Sequence, residues 1–328
     1  MIRVAINGFG RIGRTFLRKI KSTDNIQVVA INDLTAPSTL SHLLKYDSVH
    51  GRLKDDVYAG DHSLFINGID IPVFGETNPE NLPWKKLDID IVIESTGHFL
   101  KAELAQKHIV AGAKKVIISA PATGDLKTIV LGVNDHILDG KELILSNASC
   151  TTNNAAPMMK LLDDFLEIEN AYVTTVHAYT GDQNLHDSPH KDLRRARAAA
   201  QSIIPTTTGA AKAISEVLPH LKGKIGGAGI RVPVIDGSLT DITCVVKRES
   251  SITDINNLFK EAAGGVLMGI LEYTEDPIVS VDIIGNNHSC IFDSQLTSVL
   301  GKMVKVVGWY DNESGYSGRL VDLIKKIS

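Results

Sequence analysis

Residues 7–13 read Asn7-Gly8-Phe9-Gly10-Arg11-Ile12-Gly13, which spaces the glycines as G-x-G-x-x-G. A short apolar run, Ile2–Ile6, precedes this stretch, and a helical pattern, Arg11–Ser22, follows it. A strand, a glycine turn and a helix in this order are typical of a dinucleotide-binding unit. The glycines permit a tight turn, a close approach to a pyrophosphate and close packing of the helix on the strand. The amino terminus of the helix offers N–H groups to phosphates.

An acidic residue stands where such a unit needs one. Asp33 lies 20 residues after Gly13, just beyond the apolar run Gln27–Ile31. A carboxylate at this position accepts hydrogen bonds from the adenosine ribose and repels a 2′-phosphate, which favours NAD over NADP. The alternative is a glycine turn in an unrelated α/β domain, with Asp33 capping the end of a strand.

Short apolar runs and helical patterns alternate over the first 150 residues. The runs interpreted as strands are Ile2–Ile6, Gln27–Ile31, Ile91–Ser95, Val116–Ser119, Thr128–Val133 and Leu143–Ser146. The helical patterns are Arg11–Ser22, Thr39–Leu44 and Ala102–Ala111. Short strands rich in Val and Ile are typical of a parallel sheet that is buried on both faces. The alternation predicts a doubly wound α/β domain.

The pattern changes after Cys150. Longer strand-like runs follow, separated by wider loops: Ala171–Tyr179, Ile230–Ile235, Leu239–Lys247 and Met303–Trp309. This arrangement favours an α+β domain whose sheet is largely antiparallel, with helices on one face. We therefore predict one domain over residues 1–148 and a second over 149–314. We expect the C-terminal helix, residues 315–328, to pack on the first domain.

Composition excludes several classes of protein. Of the 328 residues, 43% are hydrophobic and 22% are charged, a balance that excludes disorder. The net charge of −4 gives no sign of a nucleic-acid partner. No apolar run approaches the ~18 residues that a membrane span needs. With no targeting signal at the amino terminus, we expect a cytoplasmic protein that does not bind a membrane. We assign no metal ligand.

Three cysteines are too few for a disulfide framework, but one of them occupies a chemically distinctive position. Cys150 follows the strand-like Leu143–Ser146 and opens a helical pattern, although Pro157 could kink or delay that helix. A helix amino terminus lowers the pKa of a thiol. His177, on a predicted strand, is the best candidate for a neighbouring base. Taken singly, Cys150 could be a buried small apolar residue and His177 a satisfied strand histidine.

The sequence closely resembles the phosphorylating glyceraldehyde-3-phosphate dehydrogenases over essentially its whole length. Five stretches carry the resemblance in order: Asn7–Arg14, Ser146–Asn153, Thr206–Lys212, Arg231–Pro233 and Trp309–Glu313. The resemblance implies a Rossmann-type NAD-binding domain and an α+β catalytic domain. It also implies that the substrates are glyceraldehyde 3-phosphate and inorganic phosphate, that the cofactor is NAD, and that the protein is a homotetramer.

Roles for single residues follow from the same resemblance. Cys150 would be the nucleophile and His177 its base. The reaction would pass through a hemithioacetal and an acyl thioester. The residues implied to bind NAD are Gly8, Gly10, Arg11, Ile12, Gly13, Asp33, Thr77, Ser119 and Asn312, with Asn312 fixing the nicotinamide amide. The substrate phosphate would be held by Thr180 and Arg231. Inorganic phosphate would be held by Ser149, Thr151, Thr208, Gly209 and one arginine of residues 194–197, taken as Arg195.

A few positions depart from the family pattern. Asn154 replaces a second cysteine that the chemistry does not require. Thr77 replaces a basic residue near the adenine, and Ser188 replaces a leucine found in many NAD-specific bacterial members. The change at Thr77 weakens the adenine part of the cofactor site, and the change at Ser188 leaves room for residual use of NADP, although the retained Asp33 still favours NAD.

Two rival functions remain open at this point. Erythrose-4-phosphate dehydrogenase shares the cysteine and histidine motifs but uses no phosphate attack, and it tends to differ in the loop that matches Thr206–Ala211. A non-catalytic NAD-binding protein on the same fold is the second rival. The presence of Cys150, His177 and Asn312 together argues against it.

Overall fold

The computed structural model describes residues 1–20 and 25–328, so the last two residues of the predicted helix Arg11–Ser22 lie outside the described residues. This chain divides into two compact units. The first unit contains residues 1–129, 137–148 and 317–328, and the second contains residues 130–136 and 149–316. Neither described range contains a helix with the length and apolarity needed to cross a bilayer.

The first unit is built on a sheet in which parallel pairing predominates. Its strands are β1 (Ile2–Asn7), β2 (Ile26–Asn32), β3 (Val57–Ala59), β4 (Ser63–Ile66), β5 (Ile69–Phe74), β6 (Ile91–Glu94), β7 (Lys115–Ile118), β8 (Lys127–Thr128) and β9 (Ile144–Ser146). Its helices are α1 (Arg11–Ile20), α2 (Pro37–Lys45) and α3 (Ala102–Val110). The described strands pair in the order β3-β4-β5-β2-β1-β6-β7-β9-β8, antiparallel only among β3, β4 and β5. The strand order reverses at β1, where a doubly wound sheet binds its ligand.

The core of the first unit explains the apolar runs of the sequence. One core cluster contains four fully buried side chains: Trp84, Val92 of β6, Ala105 of α3 and Val116 of β7. Close packing on both faces requires Val and Ile at consecutive positions of the central strands, which is the pattern that the sequence shows. The predicted parallel α/β domain is therefore confirmed.

One predicted strand of this half is wrong. Thr128–Val133 forms only the last residue of β8, and the chain then turns, because Gly132 has φ +78° and Asn134 N donates to Val130 O. The Asn134 side chain closes the turn by accepting a hydrogen bond from Val130 N at 2.8 Å. Residues 130–136 group with the second unit.

The second unit is a mixed sheet covered by helices. Its strands are β10 (Ile168–Ala178), β11 (Ile204–Thr206), β12 (Ile225–Val232), β13 (Ser238–Val246), β14 (Leu271–Thr274), β15 (Cys290–Asp293), β16 (Ser298–Leu300) and β17 (Met303–Tyr310). Its helices are α4 (Cys150–Leu166), α5 (Ala210–Val217) and α6 (Ile252–Gly264), and α7 (Ser314–Ile327) runs on into the first unit's residues. Of the described strand pairs, only β10–β12 and β14–β15 are parallel, so the predicted largely antiparallel sheet is confirmed.

Strand register brings distant residues of the second unit together. The parallel pairing of β10 with β12 places His177 opposite Arg231, and the antiparallel pairing of β13 with β17 places Ser238 opposite Tyr310. Helix α4 packs on β10, β13, β15 and β17, and it also contacts α5 and α6. The helix that begins at Cys150 therefore lies on the sheet that carries His177.

Candidate active site

A cavity of about 540 Å³ opens at the carboxyl ends of β1, β2, β5 and β6 in the first unit. It is lined by residues of this unit: Asn7, Gly8, Gly10, Asn32, Asp33, Leu34, Glu76, Thr77, Ser95, Thr96, His98 and Phe99. Four of the residues predicted to bind the cofactor, Gly8, Gly10, Asp33 and Thr77, line it. The other eight lining residues were not predicted. Six of these eight end a strand or lie within two residues of a strand end, which is the only signal that could have identified them.

The glycine loop has the geometry that a dinucleotide requires. Gly8 has φ +91°, and a Cβ there would lie 2.7 Å from Thr96 N. A Cβ on Gly13 would lie 2.4 Å from Gly8 O, so the helix approaches the loop closely. A Cβ on Gly10 would meet nothing within 4 Å, which leaves open space at the cavity wall. The first backbone bond of α1 is donated by Arg14 N to Gly10 O, so the N–H groups of residues 11–13 precede the helical ladder.

The acidic residue is held in place by the loop itself. Asp33 accepts hydrogen bonds from Phe9 N at 2.7 Å and from Thr35 N at 2.9 Å, one on each carboxylate oxygen. Each oxygen keeps a further lone pair for a ribose hydroxyl. The residues at this cavity therefore fit NAD.

The remaining predicted cofactor residues lie elsewhere. Arg11 and Ile12 begin α1 but do not line the cavity, and the Arg11 guanidinium pairs with Asp47 at 2.6 Å. Burial opposes ionisation of Asp47, but hydrogen bonds from the N–H groups of residues 50 and 49 and from Arg11 outweigh it and lower its pKa to about 2. Ser119 follows β7, where its N–H donates to Glu94 O. Asn312 belongs to the second unit.

Cys150 is the first residue of α4. Ser149 caps the helix, since its side chain accepts a hydrogen bond from Thr152 N at 3.0 Å. The helix runs unbroken to Leu166 through Pro157, so Pro157 does not delay it. The Cys150 Sγ lies 3.5 Å from Nε2 of His177, and this contact is the central feature of the second unit.

His177 is buried and is held from its other side. Its Nδ1 lies 2.7 Å from Ala178 O and 2.7 Å from Nη1 of Arg231, which itself donates to Ala178 O at 2.9 Å. A guanidinium N–H can only donate, so the two contacts of Nδ1 belong to opposite tautomers: Nδ1 accepts from Arg231 in one and donates to Ala178 O in the other. Burial, reinforced by the positive charge of Arg231, lowers the pKa of His177 to about 3. The imidazole is therefore neutral at physiological pH.

The predicted lowering of the pKa of Cys150 is wrong for this structure. Cys150 keeps part of its surface exposed, but desolvation by the surrounding protein is the largest influence and raises the pKa of its thiol. The charge of Arg231 and the N–H of Thr151 oppose this effect without overcoming it. Desolvation outweighs the helix terminus because the dipole carries only a partial charge, about half an elementary unit. The pair is thus a thiol beside a neutral imidazole.

Three residues join the site that the sequence analysis did not single out for it. Tyr310 OH lies 2.9 Å from the hydroxyls of both Thr151 and Thr175, and its ring contacts His177 edge-on with centroids 5.9 Å apart. Ser238 Oγ donates to Asn312 Oδ1 at 2.7 Å and accepts from Ala178 N. Each of these residues reaches the site through strand pairing, which no local pattern reveals.

The predicted phosphate ligands cluster around one carboxylate. Asp182 accepts short hydrogen bonds from Thr180 Oγ1 and from Nη1 of Arg195, and it lies 3.9 Å from Nη2 of Arg231. Arg195 also donates through Nε to Thr206 Oγ1 at 2.9 Å. The structure therefore brings together Thr180, Arg195 and Arg231, and it adds Asp182, which the sequence analysis did not single out.

The arginine segment and the next helix complete the cluster. The side chain of Arg195 is 18% exposed, whereas that of Arg197 is 66% exposed and pairs outward with Asp187, and Arg194 is exposed. Gly209 stands at the cap position of α5 without a side-chain cap, and Thr208 Oγ1 accepts from Ala210 N at 3.2 Å. The hydroxyls of Ser149 and Thr151 are engaged within the chain, as described above.

Comparison with known proteins supplies the family. Residues 2–102 match the model described as "Glyceraldehyde 3-phosphate dehydrogenase, NAD binding domain", and residues 149–312 match the model of its C-terminal domain. The chain belongs to the glyceraldehyde 3-phosphate dehydrogenase family. It is 57% identical to glyceraldehyde-3-phosphate dehydrogenase 2 of Streptomyces avermitilis, over 98% of this chain and 97% of that protein.

Other family members are similarly close. The glyceraldehyde-3-phosphate dehydrogenase of Mycobacterium avium is 56% identical over 98% of this chain and 97% of its own length. That of Geobacillus stearothermophilus is 54% identical over 100% of this chain and 98% of its own length. The predicted family, the NAD-dependent oxidoreductase class and the NAD cofactor are confirmed by these matches.

Proposed function

We propose that this chain oxidises glyceraldehyde 3-phosphate with NAD and inorganic phosphate to 1,3-bisphosphoglycerate, the reaction of glycolysis and gluconeogenesis. The observation that carries the proposal is the 3.5 Å contact between the Cys150 thiol and Nε2 of a buried, neutral His177. A thiol beside a neutral imidazole can become a nucleophile when needed, because the imidazole takes its proton.

The two residues act in sequence. Cys150 Sγ attacks the aldehyde carbon while its proton passes through Nε2 of His177 to the aldehyde oxygen, which gives a hemithioacetal. His177 then removes that hydroxyl proton as hydride leaves, and a thioester remains on Cys150. This role requires the tautomer in which Nδ1–H donates to Ala178 O and Nε2 accepts, with the N–H of Arg231 directed to Ala178 O and not to Nδ1. Phosphate attack on the thioester expels the sulfur, which recovers its proton from His177.

NAD, when bound, supplies the hydride acceptor. We assign its binding to residues 1–148 with 315–328, through Gly8, Gly10 and Asp33, which line the cavity, and through the N–H groups of residues 11–13 at the start of α1. Thr77 lines the same cavity. Residues 149–314 supply Asn312, whose amide oxygen is already oriented by Ser238 and so leaves its NH₂ group available to the nicotinamide amide. Ser119 stays an assignment from the resemblance.

Two anion sites follow from the cluster around Asp182. We assign the substrate phosphate to Thr180 and Arg231, and inorganic phosphate to Arg195 and the start of α5 at Thr208 and Gly209, with the backbone around Ser149 and Thr151. Arginine offers charge and paired N–H groups, and a helix start offers free N–H groups. An incoming phosphate has to replace the Asp182 carboxylate on Arg195, because the two compete for the same donors.

We also infer a homotetramer in the cytoplasm. The segment between Thr180 and Ile203 exposes large apolar side chains: Leu185 is 72%, Leu193 is 82% and Ile203 is 70% exposed. Large apolar side chains exposed along one segment are typical of a protein contact. Light scattering on the purified protein would give the mass of the assembly, and fractionation of cells would give its location.

The decisive test of the reaction follows NADH absorbance when the protein is mixed with NAD and glyceraldehyde 3-phosphate, with and without phosphate. We expect steady turnover only with phosphate. Absence of turnover would refute the proposal that the protein is an enzyme. A rate that is the same with and without phosphate would favour an erythrose-4-phosphate dehydrogenase. Cys150→Ser should abolish turnover and keep NAD binding, since Cys150 does not line the cavity of the first unit.

A further inference from the structure

A buried carboxylate lies behind the wall of the cavity in the first unit. Glu94 is the last residue of β6 and is 1% exposed. Four hydrogen bonds converge on it: from Asn7 Nδ2 at 2.5 Å, from His108 Nε2 at 3.1 Å, and from the backbone N–H and hydroxyl of Thr96 at 2.8 and 2.5 Å. A buried carboxylate is costly unless its lone pairs are used, and here both oxygens accept two bonds.

The direction of the histidine bond is set from its far side. The indole N–H of Trp84 lies 3.0 Å from Nδ1 of His108, and both side chains are fully buried. An indole nitrogen can only donate, so Nδ1 accepts and the proton of the ring lies on Nε2. The His108 ring is therefore held in the tautomer that donates to Glu94. Its edge also contacts the ring of Phe99 in the cavity wall, with centroids 6.1 Å apart.

The network continues outward to the strand ends. Asn7 has its NH₂ group on Glu94, so its oxygen faces away and accepts from Asn32 Nδ2 at 2.7 Å. Asn32 then bonds both backbone groups of Glu76, each at 2.9 Å. On the other side, Thr96 Oγ1 accepts from His98 N at 3.0 Å. Each of these outer residues lines the cavity.

We propose that Glu94 is the positioning residue of the dinucleotide cavity. It holds the ends of β1 and β6 directly, and through Asn7 and Asn32 it holds the ends of β2 and β5, including the backbone next to Asp33. Every donor in the cluster points toward this carboxylate, so a neutral amide of the same shape would set an NH₂ group against at least two donors. The proposal rests on the assignment of NAD to this cavity.

The test compares Glu94→Gln with a matched control, Glu142→Gln. Glu142 is also a poorly exposed carboxylate of the first unit, 7% exposed at its side chain, and it accepts from Lys127 and from two backbone N–H groups. It does not line the cavity. Titration calorimetry would give the NAD dissociation constant, initial rates would give KM for NAD and kcat, and thermal melting would give stability.

We expect Glu94→Gln to raise the NAD dissociation constant by about tenfold or more, with a larger change in KM for NAD than in kcat. Glu142→Gln should change NAD affinity by less than about twofold even if it melts at a lower temperature. Unchanged affinity in Glu94→Gln, or equal losses in both variants, would overturn the inference. If wild-type protein fails to bind NAD, the proposed function and this inference both fall, whereas wild-type binding that Glu94→Gln retains overturns only the inference.

A gentler variant covers the case in which Glu94→Gln does not fold. Trp84→Phe keeps an aromatic ring but removes the N–H that sets the tautomer of His108, together with part of the buried ring volume. We expect a two- to fivefold weaker NAD complex, together with a shift of the His108 ring nitrogen signals toward the other tautomer in ¹⁵N NMR. A loss of packing alone would lower the melting temperature without moving these signals. Unchanged NAD affinity and an unchanged tautomer would contradict the proposal.

Discussion

The three glycines of the loop should respond differently to alanine, because the structure gives each a different task. Gly8 has φ +91°, and an added Cβ there would lie 2.7 Å from the backbone N of Thr96. Positive φ costs a non-glycine residue about 1–2 kcal/mol, and overpacking against atoms that cannot move costs about 1–3 kcal/mol more. Gly8→Ala should therefore destabilise the first unit by about 2–5 kcal/mol.

Alanine at Gly13 and at Gly10 should have smaller effects on stability than alanine at Gly8. Gly13→Ala places a Cβ 2.4 Å from Gly8 O, an overpacking cost of about 1–3 kcal/mol that the better helix propensity of alanine offsets by up to about 1 kcal/mol. Gly10→Ala meets nothing within 4 Å and φ is not positive there, so it should leave stability unchanged or raise it by about 0.4–1 kcal/mol. If Gly10 is reserved for the pyrophosphate, the same methyl group should weaken NAD binding at least about tenfold, or about 1.4 kcal/mol.

Two measurements on the same samples test these expected changes in stability and NAD affinity. Without cofactor, wild type and Gly10→Ala should melt at similar temperatures, and Gly8→Ala should have the lowest melting temperature. The expected decrease for Gly8→Ala is roughly 4–20 °C, since each kcal/mol lowers the melting temperature by about 2–4 °C. Calorimetric titration with NAD should rank Gly10→Ala well below wild type. If Gly10→Ala binds NAD as tightly as wild type, the close approach of the cofactor to this position is refuted. A Gly8→Ala protein as stable as wild type would refute the steric reasoning.

The phosphate sites and the thiol give further tests. Arg195→Gln should raise KM for phosphate by about 10- to 150-fold, the equivalent of a charged hydrogen bond of about 1.5–3 kcal/mol, whereas the exposed Arg197→Gln should change it less than about twofold in the same initial-rate assay. Iodoacetamide should label Cys150 far faster than Cys244, as mass spectrometry would show, because Cys150 is partly exposed and contacts His177, whereas Cys244 is buried and its pKa is raised to about 12. The charge of Arg231 partly offsets the rise in the pKa of Cys150, so Arg231→Gln should move the pH midpoint of Cys150 alkylation further upward; a downward shift would contradict this electrostatic reasoning.

Sequence patterns predicted the central strands well and the edge strands poorly. β1, β2, β6 and β7 fall within one or two residues of their predicted bounds, because a strand buried on both faces needs consecutive apolar residues. The antiparallel strands β3, β4 and β5 were not predicted, since each is short or polar on one side, and β5 contains Pro72. The run Thr128–Val133 failed for the opposite reason, because its apolar residues are buried in a turn.

The residues of the candidate site were predicted as types, and their arrangement was not. The glycine spacing, Asp33, Cys150 and His177 are recognisable by motif or by resemblance. Nothing local distinguishes Glu94 or Asp182, because their partners come from other strands and loops. Asp182 reaches Arg195 and Arg231 only once the loop after β10 is folded over β12.

What the sequence by itself determined is the chemistry that this protein can attempt: a dinucleotide loop, a thiol, an imidazole and arginines for phosphates, on an α/β unit followed by an α+β unit. The tertiary structure decided the protonation states. Loss of water raises the pKa of Cys150 against the opposing charge of Arg231, whereas loss of water and the charge of Arg231 together lower the pKa of His177. Desolvation and charge proximity depend on residues far away along the chain, such as Tyr310, 159 positions from Thr151. Only folding brings these residues together.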